Sequence, residues 1–460
     1  MRARRPHLAA MRRAAFAVLA LALLLTTMSA SAGAADPAVA RVADHQARAG
    51  RHAPTCRVLR RRLAHHRPLR AHVRARAVRC RHAARLRRIA RVKHRRALAR
   101  RHALVRRHRL ARQVPTPRPT QATSATTRGD AQGWNGFGVG SWPSAEWRPY
   151  AADSPFNQPL GGGAQVAARS AQIVHQVLSW GEPGNLMAGA ADSSNDYGHP
   201  TYYAQPSDPL YTLRSSGYSP AIDGAQIRIP AAARAAGGGD GHMTIVEPDG
   251  WEYDLWQADA KRGGTLSFSL GGRTRIDGSG LESNATAARF GNLAGVIRAP
   301  ELAAGHIDHA LFVVVKCAST STSFGYGTRP DNGKSAYVFP AAAGGSECSG
   351  ADNADAPPLG ARFQLAMSAG QIDALGVPTW KKAILHALAT YGGYVGDTGG
   401  PGFGLQFESS TMYTAFGFAD PLVSFAKQND VGSWNGMYAF NVASGVDWAR
   451  YLRVVAPPSR

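Results

Sequence analysis

Residues whose types and spacing could do acid–base chemistry gather in three stretches of the second half of the chain. The first runs Asp240-Gly241-His242-Met243-Thr244-Ile245-Val246-Glu247-Pro248-Asp249-Gly250-Trp251-Glu252-Tyr253-Asp254-Leu255-Trp256-Gln257. Asp-Gly between two strand-like runs is a strong hairpin signal, which predicts Asp249-Gly250 as the turn. Ile245 then faces Asp254 and Met243 faces Trp256. One face carries His242, Thr244, Val246, Tyr253, Leu255 and Gln257, and the other Met243, Ile245, Glu247, Glu252, Asp254 and Trp256. Carboxylates beside a tryptophan on one face describe a sugar platform with acid/base groups. Glu247 and Glu252, near the turn, also read as solvent-facing charges. Asp254 lies further in, and Asp240 with His242 forms a second pair at the far end.

The second stretch, Glu301-Leu302-Ala303-Ala304-Gly305-His306-Ile307-Asp308-His309-Ala310-Leu311, leads into an apolar strand. Alternation sends His306 and Asp308 one way and His309 the other, which argues against all three binding one ion. His309 reads either as a hydrogen-bonded core histidine or as a base tuned by burial, with Arg298 and Glu301 orienting it or meeting an acidic substrate. The third stretch is Tyr391-Gly392-Gly393-Tyr394-Val395-Gly396-Asp397-Thr398-Gly399-Gly400. Its glycines suit a helix stop and close packing, and Asp397 beside Tyr394 could line a cleft. No phosphate loop, G-x-S-x-G elbow or H-E-x-x-H pair is present. No C-x-x-C motif with a second ligand pair supports zinc, and no cofactor is expected.

These groups must be positioned by short strands. Ala225–Ile229, Met243–Glu247, Trp251–Gln257, Thr265–Leu270, Ala310–Cys317, Ala336–Phe339 and Arg362–Ala366 have strand patterns punctuated by Gly and Pro. Two helices are predicted, Ala164–Trp180 and one capped by Thr379 and ended by Gly392. Strands and helices do not alternate regularly, so the expectation is a mainly β domain, sandwich or barrel, with a few packed helices.

The rest of the chain is of another character. Met1-Arg2-Ala3-Arg4-Arg5, an apolar run Ala14–Leu25 and small residues to Ala34 read as a secretory signal peptide (residues 1–34), too short for an ordinary span. Residues 35–113 are predicted as a basic helical hairpin; from Arg51 to Gln113 they hold 24 Lys and Arg and no Asp or Glu. Such an arm reads as a solvated spacer or as an attachment to anionic envelope polymers; export argues against intracellular nucleic acid. Residues 114–133 form a Pro/Thr/Ser-rich linker, and residues 134–460 the folded domain. The net charge of +24 therefore belongs to the arm. Four cysteines fit two disulfides in an oxidising compartment. Cys56 and Cys80 flank Pro68 symmetrically, which favours Cys56–Cys80 and Cys317–Cys348.

Ser154-Pro155-Phe156-Asn157, Asp240-Gly241-His242-Met243, the run ending His309-Ala310-Leu311, and Ala387-Leu388-Ala389-Thr390-Tyr391-Gly392 with Asp397 form a set spread over the C-terminal domain. In that set the chain resembles a group of secreted, mainly actinobacterial, β-rich proteins, a likeness that carries over no catalytic role. Export, clustered Asp/Glu/His and abundant aromatics point to a secreted enzyme that cleaves a polysaccharide. A glycoside hydrolase would use Asp254 and Asp240. A lyase would use His309 or Tyr394 as base, with Arg298 neutralising a uronate. The alternative is a non-catalytic envelope or glycan-binding protein held by its basic arm. An enzyme predicts Asp240, His242, Asp254 and His309 in one cleft, with Trp256, Arg298, Glu301, Tyr394 and Asp397 contacting substrate.

Overall fold

The computed structural model describes residues 134–216, 221–281, 283–400 and 402–457. The predicted signal peptide, the predicted basic hairpin with Cys56 and Cys80, and the predicted linker lie outside the described residues.

Sheet predominates over helix, as the short strand patterns predict. A five-stranded sheet has the order Gly404–Leu405, Leu311–Val315, Gly393–Thr398, Arg362–Leu365, Leu452–Val455. A four-stranded sheet has the order Thr201–Tyr203, Met243–Val246, Trp251–Trp256, Leu270–Arg275. Smaller sheets join Gln226–Arg228, Leu210–Ser215 and Thr265–Phe268, and separately Leu186–Ala188, Met437–Phe440 and Ser433–Trp434. Pairing is mixed, for Leu311–Val315 runs parallel to Gly393–Thr398 and Thr201–Tyr203 parallel to Met243–Val246. The disulfide Cys317–Cys348 is present, and no helix among the described residues is long and apolar enough to cross a membrane.

The hairpin forms, but one residue out of the predicted register. Thr244 pairs with Asp254, Ile245 with Tyr253 and Val246 with Glu252. Proline is the reason. A two-residue Asp-Gly turn would set Pro248 opposite Trp251, where it has no N–H to give. Instead the Glu247 amide bonds the Trp251 carbonyl, Gly250 bonds back to Glu247, and Gly250 takes φ 86° to close a three-residue loop. A one-residue slip exchanges partners across the pair. Met243, Ile245, Tyr253 and Leu255 now pack together into one apolar cluster with Leu213, Leu266 and Phe268. Thr244, Val246, Glu252 and Asp254 share the opposite face, towards a larger core built on Phe290, Phe312, Phe363 and Val395.

Two helices brace the five-stranded sheet. One begins later than predicted, at Ser170, and runs to Ser179 with Ile173, Val174 and Val177 buried. The other, Thr379–Thr390, buries Ile384, Leu385 and Leu388. Its N-cap is Pro378 and Thr379 is the first helical residue, with no side-chain cap bond. Gly392, at φ 70°, ends it as predicted.

Candidate functional site

A cavity of about 1120 Å³ lies among the first residues of the four-stranded sheet, the far ends of Leu311–Val315 and Gly393–Thr398, and the segments 184–199 and 404–410. Its walls carry His199, Asp240, His242, Trp256, Asp397 and Glu408. The strand ends bring these groups together in distinguishable ways.

The two histidines are placed by the parallel pairing. Thr201 is in register with Thr244, so His199 and His242, each two residues earlier, stand side by side. Both follow a glycine, Gly198 and Gly241, and the ring centroids are 4.3 Å apart. Gly198 is required by closeness, since a Cβ there would come within 2.7 Å of the Ser409 amide nitrogen. Backbone bonds from His199 N to Phe407 O and from Ser409 N to His199 O clamp the ring's position. The Nδ1–H of His199 donates to the Asn292 carbonyl at 2.8 Å, leaving Nε2 as the basic nitrogen. Burial, with His242 adjacent, holds His199 well below the usual histidine range. Burial likewise brings His242 down to about 4. Its Nδ1 is sealed with no partner among the described residues. A bare lone pair is cheaper to bury than a bare N–H, which assigns the proton to Nε2. The pair is therefore a neutral acceptor beside a neutral donor.

Asp397 is turned into the cavity by a β-bulge. Val395 pairs with Val313 but Asp397 with Val314, so Gly396 is an extra residue. Val395 thus stays in the core while Asp397 and Val314 line the cavity. A side chain at 396 would meet the Phe312 ring at 2.3 Å, and only glycine fits. The carboxylate accepts from the Thr398 amide at 2.7 Å and the Ala287 amide at 3.4 Å. Burial pushes Asp397 up to about 6; the two amides oppose that and the charge of Asp240 adds to it. Asp240 is held by the Trp256 indole N–H at 3.3 Å, and its carbonyl accepts from Gln257 N.

Glu408 accepts from the Ala299 amide at 2.9 Å and the Tyr413 hydroxyl at 3.1 Å, and burial pushes it up to about 7. Asp196, also in the wall, accepts from Ser409 and Thr411 hydroxyls at 2.7 and 2.8 Å and is raised by burial. Among the described residues no group of three or more His, Cys, Asp or Glu is arranged to hold a metal ion.

Of the residues singled out from sequence, Asp240, His242, Trp256 and Asp397 meet in this cavity. Asp254 does not reach it. It is fully buried behind the hairpin and accepts from Thr244 Oγ1, Ser283 Oγ and Asn292 N at 2.9, 2.7 and 3.1 Å. Its neighbour Glu252 accepts from the Tyr150 hydroxyl at 2.8 Å and Leu293 N at 3.1 Å. Burial raises both, and Glu252 further through the adjacent Asp254 charge.

His309 is buried outside the cavity, its Nδ1 against the Ala310 carbonyl at 2.9 Å and its Nε2 against Glu301 at 3.1 Å. Arg298 is bound to Glu301 at 3.1 Å and to the carbonyls of Ser144 and Trp147. Burial would raise Glu301, but Arg298 and His309 overcome it and hold the acid at about 2. Tyr394 packs on Phe156 and Phe290, with Arg362 over its ring at 4.8 Å.

Sequence reasoning missed His199, Asp196 and Glu408. The usable signal was the Gly-His dipeptide just before a strand, at Gly198-His199 and Gly241-His242; the third Gly-His, Gly305-His306, follows a helix and lies outside the cavity. Searches against family models, curated proteins and solved structures find no match to the chain.

Proposed function

We propose that this is an exported glycoside hydrolase acting on a polysaccharide. The observation that carries the reading is the pair of carboxylates, Asp397 and Asp240, in one cavity with Trp256 in its wall. Asp397, raised to about 6, keeps its proton into weakly acidic solution and takes the general-acid role on the leaving oxygen there. Asp240, oriented by the Trp256 N–H, is the second carboxylate, acting on water or on the sugar carbon. His199 Nε2 and His242 Nε2–H suit the two senses of a hydrogen bond to sugar hydroxyls. The five- and four-stranded sheets around the cavity serve as the halves of an irregular sandwich.

The lyase reading draws support from His199, a neutral imidazole with a free Nε2, as base. Charge weighs against it. A uronate needs a cation, whereas the cavity wall carries Asp196, Asp240, Glu347, Asp397 and Glu408 against Lys334, itself 3.8 Å from Asp331. Arg298 is committed to Glu301. The disulfide Cys317–Cys348 suits export, and the basic arm suits attachment to anionic envelope polymers.

The test is the full mature chain on a panel of neutral and acidic polysaccharides, following new reducing ends and the ultraviolet absorbance of unsaturated uronates. Reducing ends alone support the hydrolase, and both signals together replace it with a lyase. Silence from a folded protein sinks both readings in favour of a glycan-binding protein.

A further inference from the structure

Beside the cavity stands an aromatic side chain with no structural task. Trp434 is 71% exposed and enters no ring contact among the described residues. It is also rigidly presented. Ser433–Trp434 and Met437–Phe440 form a tight hairpin in which Trp434 pairs with Met437, across Asn435 at φ 51° and Gly436 at φ 80°. The central strand Met437–Phe440 pairs in turn with Leu186–Ala188, which leaves Ser433–Trp434 at the sheet edge.

That hairpin abuts the cavity wall. A Cβ on Gly189, which lines the cavity, would lie 2.6 Å from the Gly436 carbonyl oxygen. Asn195, also in the wall, reaches the Met437 sulfur at 3.7 Å. On the same segment 184–199, Tyr197 and Met187 line the cavity and are 54% and 38% exposed. An apolar rim thus continues from the cavity towards the hairpin tip. A large exposed indole on a fixed turn costs solvation and contributes nothing to the core, which is the economy of a binding residue.

We infer that Trp434 is an outer subsite which stacks a sugar ring of a neutral polysaccharide chain leaving the cavity past Tyr197. Neutral is specified by the wall's composition: among the described residues its one cation, Lys334, lies 3.8 Å from Asp331 and leaves nothing to pair a uronate or a sulfate, whereas a sugar face offers C–H groups to an aromatic ring. The substrate is therefore a polymer long enough to occupy both cavity and hairpin. This inference deepens the hydrolase reading and rests on it for the chain's direction, but its binding is measured separately.

The experiment is affinity electrophoresis of the full chain in gels carrying a β-1,3-glucan, a β-1,4-xylan or a galactomannan. None of these is charged, so the basic arm adds no electrostatic retention. Wild type, Trp434→Ala, Trp434→Phe and Asp397→Asn are compared. The inference expects retardation of wild type by at least one glycan, an approximately tenfold weaker Kd for Trp434→Ala, and recovery of most of that loss by Trp434→Phe, because stacking needs a ring and not the indole N–H. Equal Kd values for wild type and Trp434→Ala overturn it, as does no retardation of wild type by any of the three. Cleavage is scored in parallel: Asp397→Asn retaining affinity without activity upholds the hydrolase. A wild type that binds through Trp434 yet cleaves nothing upholds the subsite while the hydrolase falls.

Discussion

Two acid clusters sit close together in this molecule, and burial raises the proton affinity of Glu252 and Asp254 in one and of Asp397 in the other. Behind the hairpin, Glu252 and Asp254 are fully buried, and hydroxyls and amides from Tyr150, Leu293, Thr244, Ser283 and Asn292 occupy their oxygens. At the cavity, Asp397 is held only by the Thr398 and Ala287 amides, and Asp240 by the Trp256 indole. The same electrostatic signature therefore arises from two causes. A satisfied, inaccessible acid pair fixes the packing of a strand pair against the core, whereas a pair lining a cavity has oxygens left for a substrate. The histidines repeat the contrast. His309 has both nitrogens engaged, while His199 has one held and one free. Perturbed protonation marks burial; access and unspent hydrogen-bonding capacity mark chemistry.

The sharpest way to break this comparison is to neutralise one acid in each cluster. Asp397→Asn keeps the size and the 2.7 Å bond from Thr398 N, sets an NH2 in place of the 3.4 Å acceptor of Ala287 N, and cannot give a proton, so glycan cleavage should fall by about 10²–10⁴-fold. Its urea midpoint should stay near that of wild type. Asp254→Ala should do the reverse. It strands the Thr244 and Ser283 hydroxyls and the Asn292 amide, and should lower stability by about 3 kcal/mol in urea unfolding. Specific activity of the folded fraction should be retained. If Asp254→Ala abolishes turnover in a fully folded protein, the division between the clusters fails.

Glu408 lies on the border, lining the cavity yet bonded to Ala299 and Tyr413. Its folded value of about 7 exceeds the ~4.3 of an unfolded glutamate. The folded state therefore holds this proton over a range where the unfolded chain has lost it. The resulting stability is complete below about pH 4 and is lost as pH rises through 7. Glu408→Gln removes that loss. The variant should match wild type at pH 4 and exceed it by roughly 3.5 kcal/mol at pH 8, read from paired urea melts. Equal pH slopes for the two proteins would show that Glu408 is ionised in the folded state.

How much of this was legible in the sequence follows from the physics of each element. The strand runs were readable because alternation and Gly/Pro boundaries are local. Asp240, His242, Trp256 and Asp397 were readable as chemistry-bearing types at strand ends. The register of the hairpin hid in one residue. Asp249-Gly250 argued for a two-residue turn, but Pro248 lacks the N–H that turn would need, and the faces change partners accordingly. The pairing of His199 with His242 was not readable, because it depends on a parallel contact between strands some forty residues apart. The bulge at Gly396 left a trace only in hindsight, a lone glycine between Val395 and Asp397 in a strand. Cys317–Cys348 formed as the positional argument expected.

The smallest effect tests the comparison most finely. Thr244 sits on the strand that begins beside His242, two residues from the cavity, yet its hydroxyl donates inward to Asp254 at 2.9 Å. Thr244→Val keeps the β-branched shape and removes one hydrogen bond from the structural cluster. That bond lowers the proton affinity of Asp254, so its loss should raise Asp254 further and make the buried acid less costly to keep neutral. The net cost should be about 1 kcal/mol of stability. Turnover should stay within about twofold, because the backbone that carries His242 is fixed by its pairing with Leu255 and Asp254 and not by the hydroxyl. A large loss of turnover with stability unchanged would mean that the buried acids and the cavity act as one network. Asp254 would then be a positioning residue for His242, and the boundary drawn between the clusters would have to move inward.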